Sequence, residues 1–169
     1  MTILIIYVSI ALVFSFLCSI AEAVILSVTT PYIALLEQNN KPEGDILREL
    51  KESINKPMAA ILTLNTIAHT VGAVGAGAQA AVVFGNTYVG IISAVLTLLI
   101  LIVSEIIPKT LGAHYWEKLA PATAYGLKYL TIILYPFVKL AEKITGTMTN
   151  TTTLTGFSPD EFAVMAKLS

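Results

Sequence analysis

The sequence predicts an all-α membrane protein with three transmembrane helices, an interfacial juxtamembrane helix and the start of a cytoplasmic helical bundle. Its composition is the first reason, because 56% of the residues are hydrophobic and 12% are charged, whereas soluble domains carry about 25% charged residues. The second reason is the presence of three apolar runs, each long enough for the roughly 20 residues that cross a bilayer. The third is that every lysine and arginine lies outside these runs.

We place the three spans at about residues 3–28, 58–84 and 88–107. Gly85-Asn86-Thr87 separates the second span from the third and is typical of a tight turn, in which Gly and Asn adopt positive φ values. The second and third spans should therefore form an antiparallel hairpin. Ala21-Glu22-Ala23 also resembles a signal-peptide cleavage site, but no basic residue precedes it and the apolar run continues to Val28. We therefore favour a retained span.

The basic residues predict the orientation of the chain. Lys41, Arg48, Lys51 and Lys56 lie in the first loop, and the remaining lysines all follow the third span. By the positive-inside rule, the first loop and the C-terminal part are cytoplasmic and the N-terminus is outside. We therefore expect a multi-pass protein of the cell membrane.

The segments outside the spans predict shorter helices. Residues 45–54 have the apolar spacing of a short amphipathic helix, with Pro42 and Gly44 at its start. Residues 113–140 mix aromatic side chains with lysines, as the headgroup region of a membrane selects, so we predict a juxtamembrane helix broken by Pro121 and Pro136. A fourth span here is disfavoured, because it would place the following lysines outside.

We divide the chain into a transmembrane domain, residues 1–145, and a C-terminal part, residues 146–169. The threonine-rich start of the second part predicts a linker. Ser158-Pro159-Asp160-Glu161 then has the N-cap, the proline and the acidic first turn of a new helix. We expect more cytoplasmic protein to follow Ser169.

Several functions are excluded or disfavoured by what the sequence lacks. A net charge of −1 argues against nucleic acid as a partner, and a single cysteine, Cys18, excludes an internal disulfide. We find no nucleophile–base arrangement, no phosphate-binding loop and no zinc motif. We therefore do not expect an enzyme.

The end of the third span carries the strongest functional signal. Glu105 ends a run without ionisable residues, and a carboxylate at the hydrocarbon boundary is costly unless it binds or pairs with something. Pro108 cannot donate a hydrogen bond to the carbonyl of Ser104, which leaves that oxygen available. The alternative is an ion pair between Glu105 and Lys109 at i, i+4 spacing.

Two further polar faces lie within the other spans. In the first span, one helical face carries Ser15, Ser19, Glu22 and Ser27. In the second, Asn65 and His69 share a face with Gly72. Both faces could serve helix packing alone. Taken with Ser104, Glu105 and a carbonyl at Gly112, they form a mostly hard-oxygen set that suits Mg²⁺ or Na⁺. His69 adds a nitrogen, which fits a proton role or a hydrogen bond better.

These residues resemble the transmembrane domain of the CNNM/CorC family of magnesium transporters, over about residues 1–145. The resemblance rests on Ser19-Ile20-Ala21-Glu22-Ala23 with Ser27, on Thr63-Leu64-Asn65, and on Ser104-Glu105-Ile106-Ile107-Pro108-Lys109. The resemblance implies a homodimer in membrane lipid. Each subunit would hold one Mg²⁺ ion in an inward-open cavity and export it, driven by Na⁺ entry.

The resemblance also implies a ligand set of Ser19, Asn65 and Glu105, with Gly112 as a backbone ligand. Many relatives carry asparagine where this chain has His69, so the role of this position differs from the family pattern. The family's pair of regulatory CBS domains is not in this sequence and is expected in the full-length chain. Two alternatives stay open: a non-transporting membrane anchor or magnesium sensor, and a proton-coupled carrier that uses Glu22 and His69.

Overall fold

A computed structural model describes the chain from residue 2 to residue 149. The predicted helix start at Ser158 lies outside these described residues. Within them every regular element is helical, so the predicted all-α fold is confirmed. The helices are α1 (Thr2–Ser27), α2 (Thr30–Gln38), α3 (Pro42–Glu52), α4 (Asn55–Phe84), α5 (Val89–Leu99), α6 (Ile107–His114), α7 (Trp116–Ile133) and α8 (Tyr135–Thr149), with a π-helical segment, Ile100–Ile106, joining α5 to α6.

Three helical stretches of the described chain are long and apolar enough to cross a membrane: Thr2–Ser27, Asn55–Phe84 and Val89–His114. Most of their large apolar side chains are exposed, as lipid-facing helices require. Contacts between the spans use small residues. An added Cβ at Gly72 would overlap that of Ala11, so α1 and α4 approach closely at this point.

The helix of the third span continues beyond its predicted end at residue 107, to His114. Pro108 lies in the first turn of α6, a position that proline commonly takes in helices. The segment before Pro108 has π-helical hydrogen bonding, in which the Ile107 N–H donates to the carbonyl of Ile102. The change of hydrogen-bond register thus lies directly before the proline, and the helix continues through it.

The turn between the second and third spans differs in detail from the prediction. Gly85 has a φ of 77°, as expected. Asn86 instead begins a 3₁₀ turn that runs to Tyr88, and φ is negative in such a turn. The predicted antiparallel hairpin of α4 and α5 therefore forms with a positive φ at Gly85.

The first loop folds into a hairpin of two helices. The prediction had only residues 45–54, whereas α3 begins at Pro42 and the preceding α2 was missed. The Arg48 guanidinium of α3 pairs with the Glu37 carboxylate of α2, and this hydrogen bond holds the pKa of Glu37 below its usual value. Lys51 of α3 donates to the carbonyl of Ile25 at 3.1 Å, which caps the C-terminal end of α1.

The juxtamembrane segment is two helices, and it breaks at Leu134 and not at Pro121. Pro121 lies inside α7 and cannot donate to the carbonyl of Glu117, four residues earlier. The hydroxyl of Tyr32 in α2 donates to that carbonyl instead, at 2.9 Å, and the Tyr32 ring packs edge-on against Trp116. A side chain from another element thus satisfies the group that the proline leaves unpaired.

The main apolar core lies where the end of α1, the hairpin of α2 and α3, the start of α4, and α7 meet. Val24, Ile25, Leu47 and Leu127 are almost completely buried there. Helix α8 packs beside the start of α4 and continues past Gly146 to Thr149, so the segment interpreted as a linker begins as helix. This core holds the ends of α1 and α4 in place around the polar site described below.

Candidate ion-binding site

The three spans meet at the π segment. Helix α1 packs against α4 on one side and against the π segment and α6 on the other. In this segment Ser104 is fully buried, whereas the side chain of Glu105 is 28% exposed. The altered hydrogen-bond register thus places two adjacent polar residues in different environments, one between helices and one at a cavity. Local π-helical turns of this kind are frequent at functional sites.

Glu105 lies at the wall of an open cavity of about 640 Å³. Asn65, Glu22 and Lys109 also line it, and all come from the three spans. The start of α4 and the side of α8 complete the wall with Asn55, Met58, Ala59, Ile61, Leu62, Ala141 and Glu142. The cavity therefore connects the intramembrane carboxylate with the end of the molecule that carries the first loop and α8.

The carboxylate of Glu105 has two neighbours on α4. The Nδ2 of Asn65 donates to its Oε1 at 3.4 Å, and the Nε2 of His69 lies 3.7 Å from the same oxygen. Asn65 and His69 are one helical turn apart, so both face the π segment. The structure thus brings together three of the residues that the sequence nominated, on two different spans.

A network of hydroxyl groups lies behind this carboxylate. Ser15 Oγ is 2.7 Å from the Nε2 of His69 and 3.0 Å from the Oγ of Ser104, which also donates to the carbonyl of Ile100 at 2.7 Å. The carbonyl of Ser104, which Pro108 cannot bond, lies 3.5 Å from Ser15 Oγ. Ser15 and Ser104 therefore tie all three spans together and are fully buried.

Two buried oxygen atoms near this network have no hydrogen-bond partner among the described residues: the Oγ of Ser19 and the Oδ1 of Asn65. A buried polar atom without a partner costs about 1–3 kcal/mol. Ser19 lies one helical turn from Ser15 on the same face of α1. These two atoms, with the Glu105 carboxylate, are the side-chain ligands that the family resemblance implies.

The other two carboxylates that line the cavity, those of Glu22 and Glu142, are paired with lysines. The alternative given above was an ion pair between Glu105 and Lys109. In the structure Lys109 contacts Glu22 instead, at 3.1 Å. Glu142 of α8 lies 3.7 Å from Lys56 at the start of α4. Of the three carboxylates that line the cavity, Glu105 is thus the one whose described neighbours are an amide and a histidine.

Gly112 and Ser27 are the last two nominated residues to be placed. Gly112 is buried against α1, where an added Cβ would lie 2.9 Å from the carbonyl oxygen of Ile20 and from the Cβ of Ala23. This glycine permits the close packing of α6 on α1, and its role as a backbone ligand stays a prediction. Ser27 is the last residue of α1, about 12 Å along the helix axis from Ser19 at 1.5 Å per residue, so it does not join this cluster.

The donor set of this site mixes charged and neutral groups. Within residues 2–149, no three His, Cys, Asp or Glu side chains are grouped to hold a metal ion. What the structure assembles is one carboxylate, two unpaired neutral oxygens and one imidazole. Such a set offers a hard cation mostly oxygen ligands.

Sequence reasoning missed the π segment and the partners of Glu22 and Glu142. A change of hydrogen-bond register leaves no composition signal. The Glu22–Lys109 pair joins residues on different helices, so spacing along one helix could not indicate it. The sequence contains one signal for this pair. Lys109 is a cation directly after Pro108, and Glu22 of the first span is a carboxylate with which it could pair.

Comparison with known proteins places these features in a family. The family model of the cyclin M transmembrane N-terminal domain (CNNM) matches residues 5–169. The UPF0053 protein sll1254 of Synechocystis is 38% identical over 141 residues, which cover 83% of this chain and 41% of that protein. The UPF0053 inner membrane protein YfjD of Escherichia coli is 39% identical over 62 residues, covering 37% of this chain and 14% of that protein.

A chloroplastic DUF21 domain-containing protein of Arabidopsis thaliana is 27% identical over 96 residues, which are 57% of this chain and 15% of that protein. The chain thus spans less than half of the length of these relatives. The predicted resemblance is confirmed, because the family model covers nearly the whole chain: this protein belongs to the CNNM family of membrane domains.

Proposed function

We propose that this domain binds Mg²⁺ at Glu105 and carries it across the membrane. The observation that supports the proposal most strongly is the charge arrangement of the cavity. Among the described residues that line it, Glu22 and Glu142 have lysine partners, and Glu105 does not. A carboxylate in this position calls for a cation.

The neighbours of Glu105 favour a hard divalent cation. The Oδ1 of Asn65 and the Oγ of Ser19 are buried and unpaired among the described residues, so a bound cation would give both of them a partner. Mg²⁺ prefers oxygen ligands and usually keeps several of its waters. A cavity of about 640 Å³ open to solvent leaves room for those waters.

The shape of the cavity suggests how transport would proceed. The cavity reaches Glu105 from the end of the molecule that the lysines predict to be cytoplasmic, whereas α5 on the other side has no ionisable residue. We propose that the π segment, with Pro108 behind it, rearranges to expose Glu105 to the opposite side. Export, sodium coupling and a homodimeric assembly are the further proposals that the family resemblance supports.

Binding of Mg²⁺ to the purified chain in detergent, measured by isothermal titration calorimetry, tests this site. We expect Glu105→Gln to weaken binding by at least about tenfold, because it removes the one anionic ligand. Glu142→Gln is the matched control, since this residue lines the same cavity with a lysine partner, and it should leave binding unchanged. Equal affinity of Glu105→Gln and the unsubstituted protein would disprove the site.

The same preparations in liposomes separate transport from the two alternatives. Mg²⁺ binding without flux, in this chain and in a longer chain that includes the expected CBS domains, would instead favour a membrane anchor or magnesium sensor. Flux that requires a pH gradient and is lost in His69→Ala would favour a proton-coupled carrier. Flux that persists without a pH gradient supports the proposal.

A further inference from the structure

We propose that His69 is a metal ligand of this site, through its Nε2, and that it makes the site prefer Mn²⁺ and similar first-row transition-metal cations over Mg²⁺. This inference rests on the proposed function, and for the same site it replaces Mg²⁺ with Mn²⁺ as the cation bound most tightly. It is carried by the position of His69 relative to Glu105, Asn65 and Ser15.

The distance between the two candidate donor atoms fits one shared ion. The Nε2 of His69 and the Oε1 of Glu105 are 3.7 Å apart. Two ligands of one ion at about 2.1 Å each are roughly 3.0 Å apart at a right angle and further apart at wider angles. Both atoms can therefore contact the same cation after a shift of less than about 1 Å.

A third donor lies beside them. Asn65 contacts the same Oε1 of Glu105 through its Nδ2, and its own Oδ1 is buried without a partner. Imidazole nitrogen, carboxylate oxygen and amide oxygen are thus brought together by two residues of α4 and one of the π segment. This unpaired buried oxygen is in a position to accept a cation.

The hydrogen bond that now occupies His69 can be exchanged. Its Nε2 is 2.7 Å from the Oγ of Ser15, and it must release this bond to coordinate a metal. Ser15 has a second acceptor at 3.5 Å, the carbonyl of Ser104. The hydroxyl can therefore turn to that carbonyl and stay hydrogen-bonded when the imidazole binds the ion.

The imidazole ligand is the reason why the site should prefer Mn²⁺ over Mg²⁺. Mg²⁺ takes oxygen ligands and gains little from nitrogen. Imidazole suits first-row transition-metal cations, with affinity rising from Mn²⁺ towards Cu²⁺. A site that offers one nitrogen beside carboxylate and amide oxygens should bind Mn²⁺ more tightly than Mg²⁺.

Pulsed electron paramagnetic resonance of Mn²⁺ bound to the purified chain tests the nitrogen ligand directly. We expect a ¹⁴N coupling from a directly bound imidazole in the unsubstituted protein. The chain has two histidines, His69 and His114, so His114→Gln should retain the coupling and His69→Asn should lose it. Bound Mn²⁺ without nitrogen coupling in the unsubstituted protein would overturn the inference and leave the proposed function standing.

Competition between Mn²⁺ and Mg²⁺, at one fixed pH at which imidazole is neutral, tests the preference. His69→Asn should lower the affinity for Mn²⁺ by at least about tenfold and change that for Mg²⁺ far less, since asparagine still offers an oxygen. An unchanged ratio of the two affinities would overturn the inference. Failure of Glu105→Gln to weaken either ion would instead refute the proposed function itself.

Discussion

Replacing Gly112 with alanine tests whether this residue serves helix packing. The new Cβ would lie 2.9 Å from both the carbonyl oxygen of Ile20 and the Cβ of Ala23, about half an ångström short of ordinary contact. Neither neighbour is the free end of a flexible side chain, so α6 must move away from α1. Overpacking of this kind costs about 1–3 kcal/mol.

A second glycine provides the matched control. Gly126 in α7 has nothing within 4 Å of the position that a Cβ would take. Gly126→Ala should therefore stabilise the protein by up to about 1 kcal/mol through helix propensity alone. Because Gly112→Ala has the same propensity gain, the difference between the two variants measures the overpacking, which we expect to be about 1–3 kcal/mol.

Thermal unfolding in detergent, followed by circular dichroism, provides the measurement. Gly112→Ala should unfold below Gly126→Ala, and adding Ala23→Gly should recover part of the loss by removing one of the two close contacts. If Gly112→Ala is as stable as Gly126→Ala and yet loses Mg²⁺ binding, Gly112 acts through the ion site, and the packing explanation is refuted.

Three further changes test the fold outside the site by the same thermal measurement. Tyr32→Phe should cost about 0.5–1 kcal/mol, because water replaces part of the lost bond to the carbonyl of Glu117; a stable variant would show that the carbonyl needs no donor. Gly85→Ala should cost about 1–3 kcal/mol, since its φ of 77° is unfavourable for alanine, and no loss would contradict this backbone geometry. Arg48 lowers the pKa of Glu37, so their pair should stabilise the protein above the unfolded pKa of about 4.3 and lose this effect as the pH falls through the lower folded pKa. Arg48→Met should remove this part of the pH dependence of the unfolding temperature. A pH profile identical to that of the unsubstituted protein would contradict the pairing.

The class of the fold followed from the sequence because a bilayer imposes it. Long apolar runs and the placement of lysines depend on composition alone, and the three predicted spans are confirmed. Details that depend on hydrogen-bond register did not follow. Pro108 directly follows the predicted end of the third span, yet it lies in the first turn of a helix that continues. Pro121 is a predicted helix break, yet it lies inside α7, where the hydroxyl of Tyr32 donates to the carbonyl that the proline leaves unpaired.

The candidate site also has features that the sequence predicts and features that only the tertiary structure reveals. Asn65 and His69 share a helical face by spacing, and the prediction that they face a common polar environment agrees with their contacts to Glu105. The partner of Lys109 depends on how α1 packs against α6, which no spacing within one helix reveals. The sequence could therefore nominate ligands, whereas the decision about which carboxylate lacks a lysine needed the tertiary structure.

Mg²⁺ flux into or out of liposomes that contain the purified chain tests the central claim most directly. The comparison is between the unsubstituted protein, Glu105→Gln and the cavity control Glu142→Gln, with circular dichroism to show that all three are folded. We predict flux in the first and the third and a loss of at least about tenfold in Glu105→Gln. Equal flux in all three proteins would contradict the assignment of Glu105 as the residue that binds the transported ion.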